Sequence, residues 1–182
     1  MSAGWIRAGT AGLLLCLLSA CWLSEKPLLT ARNSTEVDFA GTYRSVGEED
    51  EGNLVIAPAG HRAYRMEAGA EQLATHYLRL GKDWYLAQYE GRDEEAGTED
   101  DGAPEVLYFY QPMRVAGGRL YIYSPECERM AGEYPGMERA SGVCSFHTLE
   151  GLRAAALTYI DAVEKGEIAD RPAIWARLSV TR

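Results

Sequence analysis

Between residues 75 and 123 the chain keeps returning to a period of two, and that period limits what it can fold into more than any other feature. Leu78 and Leu80, Trp84 and Leu86, Leu107 and Phe109, and Leu120 and Ile122 recur at spacing two, as one face of a β-sheet requires. The interleaved positions are largely tyrosine: Tyr77, Tyr85, Tyr89, Tyr108, Tyr110, Tyr121 and Tyr123. If neighbouring strands pair in register, one face is aliphatic core and the other is a band of phenol rings. Tyrosine suits that second face in two ways. It has high strand propensity and forms good cross-strand pairs on a half-solvated surface. It also joins apolar area to a polar tip, which suits a groove for a ligand or partner. The seven tyrosines are therefore the candidate binding face.

Around this core the sequence reads as short strands separated by turns. Strands are expected at Phe39–Ser45, Asn53–Ala57, Arg62–Glu67, Thr75–Leu80, Trp84–Glu90, Glu105–Gln111 and Arg119–Tyr123. Pro58-Ala59-Gly60, Gly81-Lys82-Asp83 and Gly117-Gly118 supply turn chemistry between them. Sequential strands with short connections favour an antiparallel meander. After residue 148 the period changes. Leu149, Leu152, Ala156, Tyr159, Ile160 and Val163 recur at three- and four-residue steps, predicting an amphipathic helix over about 149–165, capped by Thr148 and ending near Lys165 and Gly166. Arg177–Thr181 is a candidate final strand that closes the sheet. The expected fold is mainly β, an antiparallel meander forming a strongly bent sheet or small barrel with one C-terminal helix. No internal repeat suggests a solenoid.

The N-terminal stretch carries a different signal. Arg7 precedes the apolar run Ala8–Leu18, which has the length of a secretory h-region and is too short to span a bilayer, which takes about 20 residues. Leu18-Ser19-Ala20-Cys21 follows at its end. Leucine fits poorly three residues before an ordinary cleavage site. This quartet resembles the lipobox of bacterial lipoproteins. The resemblance implies that residues 1–20 are a signal peptide, that the Cys21 thiol receives a diacylglyceryl group, and that cleavage leaves Cys21 first. Two or three acyl chains give stable attachment where one is marginal. Trp22 stands where an aspartate favours inner-membrane retention, so the resemblance implies the outer membrane. Residues 21–38 lack sustained periodicity and read as a tether of order 20 Å, leaving 39–182 as a single β-rich domain.

Export sorts the four cysteines. Cys16 leaves with the signal peptide and Cys21 carries lipid, which leaves Cys127 and Cys144 as a pair in a compartment that permits disulfides. A metal site of Cys127, Cys144 and His147 is the alternative, but three ligands without a second CxxC make a weak zinc signal. Removing residues 1–20 takes away Arg7 and no acid, moving the formal charge from −9 to −10. That balance argues against nucleic acid and against adhesion to anionic headgroups. The acidic runs Glu48-Glu49-Asp50-Glu51 and Asp93 to Asp101 lack the DxDxDG spacing of a calcium loop and read as solvated hairpin loops.

The sequence holds no GxSxG, HExxH or GxxxxGK[ST] motif, and His61, His76 and His147 stand apart from one another. No catalytic residue, metal or cofactor is therefore assigned. The expectation is a membrane-anchored envelope protein that acts as a binding or assembly module through its tyrosine face, with an envelope protein or apolar ligand as partner. An envelope hydrolase using paired carboxylates is the alternative, because such chemistry needs only two acids whose separation the fold fixes.

Overall fold

The computed structural model describes residues 22–47, 52–93 and 105–178. Eleven strands are hydrogen-bonded into one sheet: β1 (Trp22–Ser24), β2 (Gly41–Ser45), β3 (Asn53–Gly60), β4 (Ala63–Ala68), β5 (Glu71–Arg79), β6 (Trp84–Asp93), β7 (Glu105–Ala116), β8 (Arg119–Ile122), β9 (Met137–Ala140), β10 (Val143–Phe146) and β11 (Ala173–Arg177). Among the described residues the single α-helix, α1, spans Leu149–Glu164, and its cap Thr148 accepts a hydrogen bond from the Gly151 amide.

Strands β2 to β8 form the expected meander, each antiparallel to the next. β11 then slots between β2 and β8, antiparallel to both, so that eight strands close into a barrel. Closure removes the free strand edges that would otherwise attract another chain. The final strand does close the sheet, but it begins at Ala173, four residues earlier than the sequence suggests.

An eight-stranded barrel is just wide enough for side chains to fill its interior. Here the filling is aromatic. Tyr43, Tyr64, Tyr77, Tyr85, Tyr89 and Trp175 point inward with Ile56, Met66, Met113 and Leu120, and Phe39 packs among them. Its ring lies 5.1 Å from that of Tyr77 and 4.9 Å from that of Tyr85, both near edge-to-face, the arrangement aromatic pairs prefer.

A second core lies outside the wall. Trp84, Leu86, Tyr110 and Tyr123 project from β6, β7 and the end of β8. They meet Leu152, Ala155, Ala156, Tyr159 and Ile160 of α1, and Trp22 and Phe146 from β1 and β10. β6 is therefore buried on both faces from Trp84 to Tyr89.

Residues 22–38, expected to be a tether, are built into this outer layer. Trp22 and Leu29 are completely buried, and β1 lies between β7, to which it is antiparallel, and β10, to which it is parallel. A tether needs a solvated backbone; this segment instead has partners for its backbone and pockets for its apolar side chains. Cys127 and Cys144 form a disulfide with a Cα–Cα distance of 5.4 Å, which fixes the 3-10 turn at Cys127–Arg129 to β10. Their thiols are thus unavailable to a metal, and His147 faces Glu138 at 3.5 Å. Among the described residues no helix is long and apolar enough to cross a membrane.

Candidate functional site

The seven tyrosines do not share a face. Tyr77, Tyr85 and Tyr89 lie inside the barrel, while Tyr110 and Tyr123 are buried in the outer core. Tyr108 and Tyr121 are half-buried and pack against that outer core. The reason is register. β6 pairs with β7 so that Tyr85 opposes Met113, Tyr89 opposes Phe109, and Gln88 opposes Tyr110. Directly opposed residues point to the same side of a sheet, and a slip of one residue exchanges the faces. The tyrosines of β5 and β6 thus share the inner face with the aliphatic residues of β7 and β8, and the exposed phenol band expected from the sequence does not form.

Burial raises the phenol pKa of Tyr77, Tyr85, Tyr89, Tyr108, Tyr110 and Tyr123. Tyr77 and Tyr89 are pushed well up by desolvation, and neither hydroxyl has a hydrogen-bond partner. Tyr159, in α1, is raised by burial and by donating to the Asp170 carboxylate. None of these phenols is placed to give up a proton near neutral pH.

Tyr110 has a more specific task. Its hydroxyl donates to Gln88 Oε1 at 3.1 Å, accepts from the Leu28 amide at 3.2 Å, and lies 2.7 Å from Ser24 Oγ. Gln88 in turn accepts from the Leu29 amide at 2.7 Å and donates to the Leu29 carbonyl at 3.0 Å, completing both backbone valences of a fully buried residue. Desolvation pushes Tyr110 up to about 12, and its hydrogen bonds with Ser24 and Leu28 pull the other way. One phenol and one amide thereby clamp the N-terminal segment onto the barrel wall. Hydrogen-bond capacity inside an apolar patch has to be used, since each unpaired buried polar group costs about 1–3 kcal/mol.

Among the described residues a groove of about 480 Å³ lies between α1, the β5–β6 hairpin and β7. Trp84 and Ile160 form its floor, and Leu157, which is 41% exposed, carries the apolar surface out to solvent. Trp84 Nε1 donates to Glu164 Oε1 at 2.8 Å, which fixes the indole against the helix. Lys82, Asp83, Arg114 and Asp161 stand around the floor, so charges of both signs border an apolar strip.

Sequence reasoning missed this groove. Leu157 was its one visible signal, an apolar residue off the helix face defined by Leu152, Ala156 and Tyr159. Two of the groove's three carboxylates, Asp161 and Glu164, have other partners. Asp161 is 2.5 Å from Lys165 Nζ and Glu164 accepts from Trp84, so they are not a pair poised across a cleft. Cys21 and the acidic runs at 48–51 and 94–101 lie outside the described residues. No family model matches the chain, and neither a curated protein nor a solved structure is similar to it.

Proposed function

We propose that this protein is a lipid-anchored envelope module that recognises a partner protein, with the groove between α1 and the barrel wall as its docking site. The anchor reading rests on the resemblance of Leu18-Ser19-Ala20-Cys21 to a lipobox. The recognition reading rests on one observation: Leu157 extends an apolar floor of Trp84 and Ile160 to the surface, between Lys82 and Arg114 on one hand and Asp83 and Asp161 on the other. An extended polypeptide segment fits that chemistry, with one apolar side chain on the floor and charged neighbours meeting the rim. The barrel interior does not offer a comparable site, because Tyr77, Tyr85, Tyr89 and their neighbours already fill it. The partners that Asp161 and Glu164 already have favour this reading over paired-carboxylate hydrolysis between those two acids.

Two experiments test the halves separately. Metabolic labelling with a palmitate analogue should mark the wild-type protein and leave Cys21→Ala unmarked. A photo-crosslinking residue at Leu157 should yield a discrete protein adduct in cells, weakened by Arg114→Glu, whereas the same probe at Ala57 should not. Identical adducts at both positions would remove the groove from consideration.

A further inference from the structure

The separation between the candidate anchor and the folded domain is fixed by Trp22. Its side chain is completely buried, with its rings 5.6 Å from Phe146 and 5.9 Å from Tyr159. Its backbone lies opposite Cys144 of β10, and Ser24 and Leu28 are held by Tyr110. The chain is therefore committed to the fold one residue after Cys21. On the lipid-anchor reading residues 1–20 are gone, so a single residue step, about 3.8 Å, separates the acylated Cys21 from Trp22. That is less than the roughly 5–8 Å headgroup layer of one leaflet.

The direction of exit follows from the pairing. β1 and β10 are parallel, so the chain before Trp22 and the chain before Cys144 leave the sheet toward the same end. The β9–β10 hairpin lies at that end, beside β1. Its tip, Ala140-Ser141-Gly142-Val143, carries no charge in a protein with a formal charge of −9. Arg139 and Glu128 border it, with Glu128 Oε1 3.6 Å from where a Cβ on Gly142 would sit. An uncharged tip with one charge of each sign beside it can rest against phospholipid headgroups without the repulsion that the acidic remainder would meet.

We infer that the acylated protein has no spacer and stands directly on the bilayer, with the β9–β10 hairpin against the headgroups and β3 on the far side of the barrel. This rests on the lipid-anchor reading proposed above. The fixed attachment sets the domain's orientation, and the groove beside Leu157 is presented at a constant height instead of sweeping through the volume a flexible linker would allow.

The test uses the full-length lipidated protein in phosphatidylcholine vesicles that contain a headgroup-nitroxide lipid. A fluorescent residue replaces Ala140 in one sample and Ala57 on β3 in another. Quenching should be several-fold stronger at Ala140. Inserting a flexible Gly/Ser linker of about ten residues between Cys21 and Trp22 should abolish the difference. Intact-mass measurement on the same samples separates the two possible failures. Acylated protein quenched equally at both positions overturns the missing spacer alone, whereas protein lacking the acyl mass overturns the anchor and this inference with it.

Discussion

Tyr110 illustrates how a residue chosen for one role can have another. It belongs to the tyrosine set that the period-two pattern singles out, yet its hydroxyl gathers Ser24, Leu28 and Gln88 into a clamp on the N-terminal segment. Tyr110→Phe keeps the ring and removes only the hydroxyl, leaving the Leu28 amide without that partner. A loss of about 1–2 kcal/mol in urea unfolding is expected, with faster hydrogen exchange at the Leu28 and Leu29 amides. Gly151 makes a second test. A Cβ there would come within 1.9 Å of the Pro135 carbonyl oxygen, a backbone atom that cannot swing aside. Gly151→Ala should therefore destabilise by roughly 2 kcal/mol or more, although alanine is about 1 kcal/mol the better helix former. A rise in melting temperature would show that the helix start and the turn at Pro135 separate freely. The sequence announced the helix and its Thr148 cap through local periodicity and capping chemistry. It gave no sign of the Gly151 approach, because Pro135 reaches it through the fold.

At the scale of elements, the strands of the meander were legible and the short strands β1, β9 and β10 of the outer layer were not. β5, β6 and β7 carry enough alternation to be recognised, whereas β1, β9 and β10 have only three or four residues each, too few to show a period. β7 also runs through Pro112, where a sequence reader ends a strand. It continues because the proline needs no amide donor there, while its carbonyl accepts from the Tyr123 amide at 3.0 Å. The relative phase of β6 and β7 was the decisive illegible quantity, since each strand alternates correctly by itself and only their pairing decides which face is inner. The disulfide was legible through export chemistry, and it reinforces the layer that β1 completes. Replacing Cys127 and Cys144 together by alanine should cost roughly 3 kcal/mol in the loop-entropy account. Hydrogen exchange should rise first in β1 and β10 while β3 and β4 stay protected. Uniform loss of protection would mean that the outer layer and the barrel unfold as one unit.

For the molecule as a whole, the number of buried phenols predicts sensitivity to alkali. Tyr110 has a folded pKa of about 12 against a reference of 10.0, so the folded state holds its proton more tightly than the unfolded chain does. The associated stability is complete below pH 10 and is lost as pH rises toward 12, amounting to roughly 3 kcal/mol for this residue alone. Tyr77 and Tyr89 are shifted in the same direction by the same cause. Phenolate absorbance followed beside circular dichroism should show these tyrosines ionising only as the barrel unfolds, in one steep step. Gradual ionisation with the fold retained would place the phenols within reach of water. The barrel itself was readable from seven short strands and a candidate closing strand, but the place of that last strand between β2 and β8 was not, because β11 joins them across most of the chain.

That placement of β11 bears on how the protein is made. Residues emerge from a ribosome or a translocation channel in chain order, and the two strands that complete this sheet, β1 and β11, lie far apart in that order. β1 is available first but has no partner until β7 and β10 appear. β2 and β8 keep exposed edges until β11 is delivered. Until β11 emerges the sheet is open and aromatic-rich, and the pairing of β11 with both edges converts it into a closed, filled barrel.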